Sequence, residues 1–151
     1  MRRRRATLLL AVAIGSLALV SAAVATADEG GRPFRLTLTG EAEVNAAGVP
    51  NQGDLDGTGT AVLTFNVGLG TMCYDVSVSG VEDLTAAHVH VGPATAPGPV
   101  VIPTPVGPTG GTGCVEVARD LILAIFKDPA NYYYNVHNAP FPGGALRAQL
   151  R

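Results

Sequence analysis

The sequence predicts a mainly β fold, an antiparallel Greek-key-like β-sandwich or barrel with one short helix near residues 120–127. Three observations point there. Short runs along the chain alternate apolar and polar side chains with the period of two that a half-buried strand requires. The segments between them are punctuated by glycine and proline, 19 and 11 residues respectively, which favour turns over helices. A single run is continuously apolar, and it is too short to compete with the strands.

The elements follow in order. Residues 34–39 alternate, residues 58–67 do so again, and residues 72–78 repeat the pattern, with Gly68 and Gly70 marking a turn that makes the second and third runs a hairpin. Residues 86–91, 100–102, 114–118, 132–137 and 145–150 supply further short strands, separated by turn clusters at 45–57 and 93–113. The second cluster, dense in proline and glycine, reads as a rigid connection without a role of its own, although Val100, Val101 and Ile102 are apolar enough to pair briefly. Residues 120–127 begin with Asp120 as a candidate N-cap, carry Lys127 near the end and stop at Pro129. A short helix plugging one end of the fold is expected; a buried strand is the alternative for so short an apolar run.

The first 27 residues form a separate unit. Arg2 to Arg5 make a basic start, an apolar stretch runs from Leu8 to Val20, and Ala25-Thr26-Ala27 offers a small-x-small cleavage site before Asp28. A secretory signal peptide is expected over residues 1–27 and one β domain over 28–151. An uncleaved membrane anchor is the alternative, but the apolar stretch is shorter than the ~20 residues a spanning helix needs. The chain carries 10 basic and 12 acidic residues; without the four leader arginines six basic groups face twelve acidic ones, a formal −6. That balance excludes nucleic acid as a partner, because such binding needs a basic stripe.

Cys73 and Cys114 are the two cysteines, and both follow the leader. An even count in an exported chain, with no C-x-x-C spacing, predicts one disulfide joining the third strand to the one after the proline-rich segment. Two free buried thiols are the alternative.

Any chemistry rests on the three histidines. Residues two apart on a strand share a face, so His88 and His90 project together while Val89 and Val91 claim the core. The same parity on residues 132–137 sends Tyr132, Tyr134 and Val136 inward, and Tyr133, Asn135 and His137 outward. If the two strands are neighbours, three imidazoles meet on the outer face, a donor set suited to copper or zinc. Binding would then weaken below about pH 6 as the rings protonate. The competing reading is structural, with ring nitrogens bonded to backbone carbonyls.

The segment Ala86-Ala87-His88-Val89-His90-Val91-Gly92, the proline- and glycine-rich loop after it, and the ending from Tyr132 to Leu150 (YYYNVHNAPFPGGALRAQL) resemble the CHRD domain, the module named after chordin, over roughly residues 34–150. The resemblance implies a secreted bacterial β domain acting as a non-catalytic binding or structural module. Animal relatives bind secreted growth-factor ligands; the extracytoplasmic partner here is unknown. The His-x-His strand is also similar to that of copper-zinc superoxide dismutases, but those enzymes need more ligands than three histidines supply, so no catalytic residue and no enzyme is expected.

Two smaller features complete the reading. Asp54-Leu55-Asp56-Gly57 has the look of a calcium loop yet lacks the closing glutamate, and reads as an exposed turn. In the final strand, Leu146, Ala148 and Leu150 face inward, Ala148 standing where the family pattern has glycine. Arg147 faces outward, where it is expected to pair with Glu41 or Glu43 beside Gly143 and Gly144.

Overall fold

The computed structural model describes residues 30–151 except Glu82, so the expected signal peptide and its cleavage site lie outside the described residues. The elements are β1 (Arg32–Thr39), β2 (Thr58–Asn66), β3 (Thr71–Ser79), β4 (Leu84–Val91), β5 (Val100–Thr104), β6 (Gly110–Glu116), α1 (Arg119–Lys127), a 3-10 turn (Pro129–Asn131), β7 (Tyr132–Asn138) and β8 (Leu146–Gln149). All eight strands join one antiparallel sheet in the order β5-β4-β7-β8-β1-β2-β3-β6.

That order forces the sheet to curl. Its edge strands β5 and β6 would stand about 33 Å apart if the sheet were flat, at ~4.8 Å per strand. The linker 105–109 between them reaches only about 20 Å. The edges therefore approach each other in a nearly closed barrel. At the seam Val78 N–H donates to Thr109 O (3.1 Å), Leu84 N–H to Pro108 O (2.9 Å) and the Tyr74 hydroxyl to Pro105 O (2.6 Å). With the 105–109 linker bridging the two edges, β7 returns beside β4 through the long connection holding α1, as in a Greek-key path.

The interior is filled by the inward set of each strand, including Leu38, Leu63, Met72, Val89, Tyr134 and Leu146, all essentially inaccessible. Helix α1 covers one end. Ile122 and Ile125 are buried, and the Phe126 ring meets Phe34 and Phe65 at centroid distances of 6.3 and 6.2 Å. The helix starts one residue earlier than expected, and Asp120 is not its N-cap. Ala118 holds that position without a side-chain bond, and Asp120 sits in the first turn, where a carboxylate still favours the positive helix end. Arg119 instead ties the helix start to the β2–β3 turn, donating to the Val67 and Gly68 carbonyls at 2.9 and 2.8 Å.

Cys73 and Cys114 are directly opposite one another on β3 and β6 and are bonded, so the disulfide joins the edge strand to its neighbour. Strand β6 begins at Gly110, earlier than the apolar pattern suggests, because its first residues are glycines and a threonine that leave no alternating signature. Asp54 and Asp56 form a turn closed by Asp56 N–H to Asp54 Oδ1 (3.2 Å), as the sequence suggests.

Candidate metal centre

Strand pairing converts the parity argument into a patch. Across β4 and β7, Ala86 lies opposite His137, His88 opposite Asn135 and His90 opposite Tyr133. Across β7 and β8, Asn135 lies opposite Arg147 and Tyr133 opposite Gln149. The outward residues of three strands thus form a grid with Asn135 at its centre. An extra residue on β5 between the partners of Val89 and His90 bends the sheet beside the histidines.

One nitrogen from each of His88, His90 and His137 lies within 4.8 Å of the other two. His88 Nδ1 and His137 Nε2 are 3.2 Å apart. Two donors held by one ion at ~2.0–2.1 Å in tetrahedral geometry are separated by roughly 3.3–3.4 Å. That pair is already spaced as an edge of a coordination polyhedron, and the third ring needs to close by no more than about 1.4–1.5 Å.

The grid is partly covered, with His88 and His137 half-buried and the residues around them buried. His90 is 7% exposed, Asn135 and Arg147 only 1%, and Glu43 3%. Alternation along a strand reports which face a residue takes, but not whether a loop covers that face. The cover is the first half of the segment read as a connection without a role. Arg147 Nη2 donates to Pro93 O (2.7 Å) and Ala96 O (3.2 Å), Gln149 Nε2 to Gly92 O (2.7 Å), and Gly98 N–H to the Tyr133 hydroxyl (3.0 Å). Glycine is required at 98, since a Cβ there would overlap the Val91 carbonyl. Arg147 pairs with Glu43 (3.4 Å), one of its two anticipated partners. Its guanidinium lies 3.5 Å above the Tyr133 ring, whose other neighbour in the stack is His90 at 4.6 Å. Of the two expected glycines Gly144 makes the close approach, because a Cβ there would overlap the Glu43 carboxylate, whereas Gly143 has open space around it.

Hydrogen bonding selects the tautomers. A carbonyl only accepts, so the 2.8 Å contact between His90 Nδ1 and Gly98 O puts the proton on Nδ1 and leaves Nε2 with a bare lone pair. That Nε2 is buried and has no hydrogen-bond partner. An orphaned acceptor of this kind is costly unless something electron-poor occupies the space before it. At His137, Nδ1 faces Pro142 O (3.1 Å) while Nε2 faces His88 Nδ1 (3.2 Å) and Asn135 Oδ1 (3.0 Å), so the one proton of the neutral ring can bond only one of the two oxygens. A ring proton committed to a backbone carbonyl, with the opposite nitrogen free, is how metal-ligating histidines are oriented.

Burial, with His137 and His90 nearby, lowers the His88 pKa from 6.5 to about 4. Burial also lowers His137, with His90 adding to the effect, while Pro142 and Glu43 oppose it. Proton competition at His88 therefore sets in nearer pH 4 than the pH 6 expected of a free imidazole. In metal-free protein the unfolded chain takes up the His88 proton first, so this group removes stability as pH falls from 6.5 towards 4. A pH titration of the ring nitrogens by NMR should place the His88 midpoint near 4; a midpoint at 6.5 would contradict the burial of this ring.

Asn135, Tyr133 and Glu43 had no assigned place at the histidine site in the sequence. Parity already put Asn135 and Tyr133 on the face of His137, and that signal was sufficient to include them. No curated protein and no solved structure matches the chain. The sequence profile of the CHRD domain matches residues 34–150, well over half of the chain, which therefore belongs to the CHRD domain family.

Proposed function

We propose that this protein is an exported, non-catalytic module that holds one copper or zinc ion through His88, His90 and His137. The observation that carries this reading is the bare Nε2 of His90, buried without a partner in a cluster whose ring nitrogens lie within 4.8 Å. Neutral imidazoles at that spacing are good donors for both metals, and the absence of sulfur ligands from the cluster suits the divalent ions. Support for export comes from the leader pattern, the disulfide and the family. Among the described residues no helix is long and apolar enough to cross a membrane.

Metal analysis of protein purified from its exporting host, followed by copper and zinc titration, tests the reading. One equivalent should bind, and alanine at His88, His90 or His137 should each weaken binding by at least about 10–100-fold, the loss typical of even an outer-sphere partner. Equal affinity in wild type and the His90→Ala variant would contradict it. N-terminal sequencing of the exported protein should begin at Asp28; a start at Met1 would refute the processing step.

A further inference from the structure

Asn135 stands at the centre of the grid, and its side chain has a fixed orientation. Its Nδ2 donates to Glu43 Oε2 (3.3 Å). A carboxylate offers only acceptor oxygens, so the amide cannot be turned round without losing that bond, and Oδ1 must face the histidines. There it meets His137 Nε2 at 3.0 Å. The neutral His137 ring has one proton, and both of its nitrogens face acceptor oxygens, Pro142 O and Asn135 Oδ1. With the proton on Nδ1, two electron-pair donors confront each other across 3.0 Å, an arrangement that a shared cation relieves.

We propose that Asn135 Oδ1 is the fourth donor of the same centre, so that the ion sits in a closed site of three imidazole nitrogens and one amide oxygen. This rests on the histidine reading above. The spacing agrees with it, because the 3.0 and 3.2 Å separations of His137 Nε2 from Asn135 Oδ1 and His88 Nδ1 fall within a few tenths of an ångström of the tetrahedral edge. The charge arrangement agrees as well. Glu43 accepts from the amide nitrogen and so pushes electron density towards Oδ1, while Arg147 holds Glu43 in place. Four protein donors leave no open position for water, which is the difference between a site that keeps an ion and one that uses it. Glu43 and Arg147 are positioning residues in this scheme and touch no ion.

Two measurements on the protein test it. In a zinc titration followed by NMR, the side-chain carbonyl carbon of Asn135 should shift with the three histidine rings, at the same stoichiometry, while that of Asn138 stays put. In the copper(II) form, water-proton relaxivity should be that of an ion without a bound water, and Asn135→Ala should raise it while weakening binding by about 10–100-fold. Histidine shifts without any movement of the Asn135 carbon, together with an inner-sphere water in the wild type, would overturn the amide ligand and leave the histidine site standing. No shift of any ring at saturating zinc would overturn both. The NMR arm needs no variant, so it decides even if Asn135→Ala fails to fold.

Discussion

Arg147→Ala is expected to destabilise the fold by about 3–5 kcal/mol, the range for removing one partner of a buried ion pair. Arg147 is 1% exposed and Glu43 3%, so the substitution strands a carboxylate with only the Val44 N–H and the Asn135 amide as donors. It also takes the guanidinium donor from the Pro93 and Ala96 carbonyls and removes the cation stacked on Tyr133. Set against a typical domain stability of about 5–15 kcal/mol, that loss leaves a protein at the lower end of the range with about 2 kcal/mol or less. Urea unfolding of metal-free wild type and variant measures it directly. Glu43→Gln should lose less, because the amide oxygen can still accept from Arg147, whose guanidinium keeps the Pro93 and Ala96 carbonyls as acceptors. A change under about 1 kcal/mol for Arg147→Ala would mean that the pair is solvated in solution.

Cys73→Ser is expected to cost about 2–5 kcal/mol. The bridge closes a loop with a sequence separation of 41, for which the chain-entropy estimate is about 4 kcal/mol. Strand β6 is held chiefly by its ladder to β3, the one named strand it pairs with. It is an edge strand whose side is occupied by Gly110, Gly111 and Gly113, which bring almost no side-chain packing. Reduction should therefore loosen β6 first, seen as faster amide exchange at Thr112 to Glu116 than in β1 or β2. Unreduced protein in which both thiols alkylate would contradict the bond itself.

The fold was legible wherever side chains alternate. Residues 58–67 and 72–78 name their strands and their hairpin because the barrel interior accepts one face of each, whereas the apolar run at 120–127 suits a helix or a buried strand and only its packing as α1 decides between them. The gaps have physical causes. Gly110 and Gly111 carry no pattern, so the start of β6 was invisible, and an N-cap without a side-chain bond, as at Ala118, has no signature at all. The histidines and their shared face could be read from parity, and so could Asn135. The burial of His90 and Asn135 could not, since it depends on residues 93–98 folding back through contacts to His90, Arg147 and Tyr133 that are separated from them in sequence. The depressed pKa of His88 has a related origin: the sequence names the ring, and its partial burial beside His137 and His90 decides when it protonates.

The central claim is that three imidazoles hold one ion, and a zinc-loaded crystal measured at the zinc absorption edge tests it most directly. A single strong anomalous peak is expected about 2.0–2.1 Å from one nitrogen of each of His88, His90 and His137, with His90 Nδ1 still bonded to Gly98 O. An empty cluster at saturating zinc, or a peak bound only by surface carboxylates elsewhere on the chain, would contradict it.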